Sequence, residues 1–310
     1  MAFERIRKEI VLTNKLIHLD YLLMCYIVKK NRVPLWADLL IFLVFLFIAS
    51  LIGVESTLSL IGSTEFESVK YFFLSTIISS IIVLLAILLQ HYVIDKRPLS
   101  ELGLCTTHFV WKHSSMVVVW TFIVFVIGFL ICLLSGNVSI VSVHWNLKDL
   151  SLSLLMFTFG AFYEEIIMRG YLLTRLCRSG LNVWLCLIIT AIIFSAMHLA
   201  NPNVNFCSVV NLFLFGILDG CIFLYTKSLW VSVIAHCAWN WIQGSIFGFK
   251  VSGCEFFQPI INLDMPSYNL VNGGLFGFEG SIICTILLIP FIIIFINLLS
   301  KSIAKDEFQH

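Results

Sequence analysis

Residues 159 to 173 read FGAFYEEIIMRGYLL: two adjacent glutamates, then an arginine, inside a run that is otherwise hydrocarbon. The rest of the chain explains why that is unusual. Of 310 residues 60% are hydrophobic and only 12% charged, the mean hydropathy is +1.00 and the net charge is +1. That is too apolar for a soluble core with a polar skin. An ionised side chain at mid-bilayer costs about 2.5 to 3.5 kcal/mol on insertion scales, so Glu164, Glu165 and Arg169 must face a protein interior or a water cavity and find partners there.

Working outward, runs able to cross about 30 Å of hydrocarbon, roughly 20 residues each, fall near 37–54, 69–94, 116–135, 150–172, 182–200, 206–226, 229–248 and 279–300. The fold expected is all-α, a polytopic membrane protein with about eight transmembrane helices. It divides into an amphipathic N-terminal segment over 1–36, a membrane domain over 37–300 with its motif core at 150–248, and a tail at 301–310. With the N-terminus inside, 15 lysines and arginines lie on the inner side and three (Lys70, Lys148, Lys250) outside. By the positive-inside rule both termini are cytoplasmic. The first 35 residues carry Ile6, Ile10, Leu16, Leu19 and Leu22 among basic residues, which suits a helix lying on an anionic membrane surface. The connection from Phe249 to Phe278, rich in glycine and proline, reads as an irregular external loop. Ten cysteines stand singly with no CxxC pair and read as small apolar fillers. No nucleic-acid partner is expected; the partners are the lipid bilayer and a peptide or membrane-protein substrate.

The helical period separates the two glutamates. Glu165 and Arg169 are four apart, about 40° round the helix, and pair on one face, whereas Glu164 lies about 100° from Glu165 and is not neutralised by its own helix. Later spans hold further polar pairs at the same spacing: Phe194 with His198 in FSAMH, and His236 with Asn240 in HCAWN. The fourth and fifth spans turn near Ser179 and Gly180, which brings Glu164 and His198 to similar depth. A carboxylate, two histidines and an amide converging in a bundle suit activation of a water, with an amide or imidazole donor for the developing oxyanion. Peptide hydrolysis fits such a set. Glu164, His198 and His236 are also a possible zinc set with one open position. No metal is favoured, since Asn240 is a poor zinc ligand.

At these residues the chain resembles the CPBP family, the CAAX protease and bacteriocin-processing (Abi) membrane proteins. Its pattern of EExxxR, FxxxH and HxxxN on successive helices is matched by Glu164, Glu165 and Arg169, by Phe194 and His198, and by His236 and Asn240. RPLSELGL (97–104) and TKSLWVSVIAHCAWN (226–240) also look like the family, so the resemblance spans residues 97 to 245. It implies an all-α intramembrane endopeptidase in a bacterial cytoplasmic membrane, associated with peptide maturation, bacteriocin self-immunity or signalling. Glu164 would activate the water, His198 and His236 position it, and Asn240 hold the oxyanion. Glu165, Arg169 and Phe194 would be supporting residues. Lys227 stands where the family often has glycine, and Asp219 is an unusual charge in the sixth span.

Other readings compete. Buried histidines more often pack than react, and Asn211 and Asp219 more often bond helix to helix than catalyse. Trp239 and Trp241, flanking Asn240, read as interfacial anchors rather than cavity lining. A non-enzymatic partner of a sensor kinase or bacteriocin receptor would keep the motifs for packing. A proton-coupled transporter would use them as a relay, but no inverted repeat appears.

Overall fold

A computed structural model describes residues 34–61, 69–105 and 110–307. Nearly all of the amphipathic segment expected over 1–36 lies outside them.

The described chain is helical almost throughout. In order come α1 (Leu35–Ile61), α2 (Val69–Leu88, continued by a π turn Leu89–Ile94), α3 (Val110–Leu134), α4 (Leu147–Arg178), α5 (Val183–Met197), α6 (Phe206–Thr226), α7 (Leu229–Trp241, continued by a π turn Ile242–Ile246) and α8 (Ile282–Glu307). The fold is an all-α polytopic membrane bundle. Among the described residues six helices are long and apolar enough to cross a membrane: α1, α2, α3, α4, α6 and α8. The fifth span of the expected eight is shorter than its apolar run: helix α5 has 15 residues, about 22 Å. The seventh, with its π turn, runs Leu229–Ile246 but carries His236, Asn240 and Gln243 and is not among the six. Hydropathy reads on through residue 200, but the helix ends at Met197, where the chain turns into a cavity.

The expected external loop holds more order than its glycines suggest. Residues Ile261–Asp264 (β2) pair antiparallel with Ser139–Val143 (β1), from Ser139 opposite Asp264 to Val143 opposite Ile261, with an irregularity between Ile140 and Ser142. Gly277 has φ +102°, and a Cβ there would lie 1.8 Å from the Lys250 carbonyl oxygen, so only glycine lets the loop fold back on itself at this point.

Helix packing around the motifs depends on close backbone approach. Gly216 of α6 meets Ala191 of α5, where an added Cβ would fall 2.9 Å from the Ala191 Cα. Asn211 ties α6 to its neighbours: its amide donates to the carbonyls of Glu279 (2.7 Å) and Ser281 (2.8 Å) and accepts from the Thr285 hydroxyl (2.7 Å). That is the helix-bonding role its sequence position suggests.

A charged network closes the end of the bundle near the α4–α5 turn. Arg175 Nε lies 3.0 Å from Asp38 Oδ2 of α1 and its Nη2 contacts Asp95. Arg178 contacts Glu101, which Arg97 also approaches at 3.8 Å. The Tyr171 hydroxyl and the Gln90 amide both donate to Asp38 Oδ1, at 3.0 and 2.9 Å. Arg97, Arg175 and Arg178, counted from the sequence as loop charges on the inner side, are thus each matched to a carboxylate.

Candidate active site

Helix α4 changes pitch at the motif. It is α-helical to Glu165, π-helical over Ile166–Leu173, and α-helical again over Thr174–Arg178. A π turn takes in one extra residue, which rotates the C-terminal half of the helix by about 100° relative to the N-terminal half. The same helix therefore directs Glu164, Glu165 and Arg169 into the bundle and Tyr171 and Arg175 towards α1.

Glu165 and Arg169 make the pair that their spacing implies. Arg169 Nη1 donates to Glu165 Oε1 at 2.7 Å, and both side chains are buried. Arg169 Nη2 donates to the Gly216 carbonyl at 3.3 Å, and its guanidinium stacks over the Phe194 ring at 4.9 Å. Phe194 is thus a packing residue, placed against the motif arginine, with its ring centroid 4.8 Å from His198 and 6.0 Å from His236.

Both histidines are turned by their Nδ1 bonds. His198 is the C-cap of α5, and its Nδ1–H donates to the Phe194 carbonyl at 2.8 Å, folding the ring back along the helix. His236 Nδ1–H donates to Glu165 Oε1 at 2.8 Å. A carbonyl or carboxylate can only accept, so in each neutral ring the hydrogen sits on Nδ1 and Nε2 carries the lone pair. Both Nε2 atoms face one acid: Glu164 Oε2 lies 3.7 Å from His198 Nε2 and 4.0 Å from His236 Nε2. These gaps are too long for direct hydrogen bonds and short enough for one water to bridge. Glu164 Oε2 has no hydrogen-bond partner among the described residues.

Glu164, His198, His236 and Asn240 all line one cavity of about 310 Å³, walled by Phe157, Phe215, Met197 and other apolar groups. The loop after α7 forms part of its wall. Glu279 accepts from Trp239 Nε1 at 2.9 Å and from the backbone and hydroxyl of Ser252 at 3.0 and 3.1 Å, which fastens that loop beside Asn240. Trp239 is therefore a buried lining residue rather than an interfacial anchor. Trp241 is not among the lining residues, and its indole donates to the Leu150 carbonyl at 3.2 Å. Cys254 also lines the cavity, but burial pushes its thiol up from the ordinary range, away from the thiolate a nucleophile needs.

Two features escape sequence reasoning. One is the His236–Glu165 bond, which joins side chains 71 positions apart. The other is the placement of Asp219, wholly buried, with Oδ2 4.0 Å from Arg169 Nη1. Among the described residues one His, Cys, Asp or Glu set brings its ligand atoms within 4.8 Å of one another: Glu165, Asp219 and His236. Arg169 already bonds the same Glu165 oxygen that His236 uses, so a fixed guanidinium stands where a cation would bind. Glu164, His198 and His236 do not form such a set.

Residues 144–242, less than half of the chain, match the family model described as type II CAAX prenyl endopeptidase Rce1-like. No curated protein and no solved structure matches the chain. The matched segment begins just before α4, ends just after α7 and holds all three motifs. The matched segment, which supplies Glu164, His198, His236 and Asn240 to the cavity, is similar to type II CAAX prenyl endopeptidases of the Rce1-like kind.

Proposed function

We propose that the protein is an intramembrane endopeptidase that hydrolyses a peptide, or the terminal segment of a membrane protein, by a water that Glu164 activates. The observation that carries this reading is the unpartnered Glu164 Oε2, set 3.7 and 4.0 Å from two imidazole nitrogens at a cavity wall. A carboxylate already neutralised would be a poor base. Glu164 is distinct from Glu165, whose Oε1 is occupied by Arg169 and His236.

In the hydrolysis, His198 and Glu164 hold the water, and Glu164 takes its proton as oxygen attacks the scissile carbonyl. The oxyanion that forms is stabilised by the Asn240 amide, while His236, held through Nδ1 by Glu165, helps to position the water. Glu164 then returns the proton to the departing amine. The apolar wall favours a substrate with large apolar side chains near the cut. The protein acts in a bacterial cytoplasmic membrane with both termini inside, and its physiological role lies in peptide maturation or bacteriocin self-immunity. No metal is assigned to the site.

The test is cleavage of a panel of short peptides with apolar C-terminal segments by purified protein in detergent, in strong chelator, with products identified by mass spectrometry. Wild type should cleave at one bond and Glu164→Ala at none. If chelator abolishes cleavage and zinc restores it, the water is metal-bound. If wild type and Glu164→Ala are equally inert on every peptide while both bind a membrane partner, the protein is a non-enzymatic modulator.

A further inference from the structure

Asp219 is the charge in this site that neither the motifs nor the proposed chemistry uses. It sits on α6, fully enclosed, with a carboxylate oxygen within 4.8 Å of one of Glu165's. Two carboxylates enclosed this closely beside a single guanidinium cannot both stay ionised, so one of the pair carries a proton. The surroundings decide which. Glu165 receives two strong donors, Arg169 Nη1 at 2.7 Å and His236 Nδ1 at 2.8 Å, both of which favour its anion. Asp219 receives none: both of its oxygens lack a partner, and its nearest cation, Arg169, stands at 4.0 Å, beyond hydrogen-bonding reach. One guanidinium cannot neutralise two enclosed carboxylates, and the unpaired one costs several kcal/mol unless it is neutral.

We propose that Asp219 is a positioning residue: as a neutral carboxylic acid it donates to Glu165 Oε2, an oxygen without any other partner, and so holds Glu165 as the common acceptor of Arg169 and His236. It touches no reacting atom. Its action passes through Glu165 to the Nδ1 of His236, and thereby to the direction in which His236 Nε2 faces Glu164. Without this third donor Glu165 is free to rotate about its last bond, and the histidine loses its fixed orientation. The role is peculiar to a chain with an acid at this position of α6, and it extends the endopeptidase reading on which its kinetic consequences rest.

Two substitutions separate this role from an ionic one. Asp219→Asn keeps the shape and offers an amide hydrogen to Glu165, whereas Asp219→Leu keeps similar bulk and offers none. On a cleaved peptide, the asparagine variant should keep kcat close to wild type. The leucine variant should lose about 10- to 100-fold in kcat, the range for loss of a residue that orients a site ligand, with little change in KM. An asparagine variant as damaged as the leucine one would overturn the proposal, because the negative charge would then be what matters. A leucine variant with wild-type kcat would overturn it too. A second measurement needs no turnover: the infrared spectrum of the detergent-solubilised protein should contain a carboxylic-acid C=O stretching band that Asp219→Asn removes. Persistence of that band in Asp219→Asn, or its absence from wild type, means that Asp219 is ionised and rejects the proposal, even if no peptide is ever cleaved. Failure of all cleavage with the band intact rejects the endopeptidase reading alone.

Discussion

The two charged clusters strung along α4 differ in how completely they are paired. At the Arg178 end, Asp38, Asp95 and Glu101 face Arg97, Arg175 and Arg178, a cation for each anion. At the other, Glu164, Glu165 and Asp219 have Arg169 between them, with two histidines beside them. A balanced buried network resists change in either direction and fixes α1, α2 and α4 together. An acid-rich one keeps a basic oxygen in reserve at Glu164 and needs protons to stay neutral. The first kind of cluster suits a fixed frame, and the second suits the proton exchange proposed for Glu164.

That contrast can be broken in several ways. The largest effect belongs to Glu164→Gln, which keeps shape and hydrogen bonding but removes the base; turnover should fall by about 10²- to 10⁴-fold. Its melting temperature in detergent should match wild type, and normal cleavage by this variant would remove Glu164 from the mechanism. Arg175→Gln probes the balanced end. It strands Asp38 and Asp95, so stability should fall by about 3 to 5 kcal/mol, read from thermal melting, while turnover per folded molecule holds. A stable but slow Arg175→Gln would mean that the two clusters are not separate.

Glu165→Gln lies between them. Arg169 keeps the Gly216 carbonyl, the Phe194 ring and Asp219 as neighbours, so the stability loss should sit near the lower end of that range, about 3 kcal/mol. The double variant with Arg169→Gln should regain most of the stability but little of the turnover, because His236 then bonds a neutral amide oxygen in place of a carboxylate, a weaker hold on the ring. Recovery of both would reduce Glu165 to a packing residue. The smallest effect is a gain. Lys227 caps α6 in the left-handed conformation at φ 57°, which explains why glycine is usual at that point, and Lys227→Gly should raise stability by about 1 kcal/mol. A loss on that substitution would show that the Lys227 side chain contributes more than its backbone strain removes.

Much of this architecture is legible in the amino-acid order alone, and the boundary is physical. Composition requires an all-α membrane bundle because hydrocarbon leaves backbone groups no other partner. The Glu165–Arg169 pair arises from the helical period, since both ends lie on one helix. Hydropathy overstates the span of α5 because apolar residues continue past Met197, where the helix ends, and it does not register a helix stop. The Asp38–Arg175 and His236–Glu165 contacts join side chains from different helices, and no local spacing encodes which helices touch. Asp219 is visible in the sequence as an odd charge, but its partner is not. Arg175 and Arg178 show in the sequence only as basic residues of the inner side, and the carboxylate that matches each is not visible there.

The short α5 has one further consequence. At about 22 Å it falls several ångströms below the roughly 30 Å of an average hydrocarbon layer, and such mismatch draws the lipid surface inward around a short segment. His198 sits at the end of that segment. Water, the second reactant in the proposed hydrolysis, is thus brought close to His198. Bilayer thickness then acts as a throttle: reconstituted into lipids of increasing chain length, the protein should slow as the surface recedes from His198.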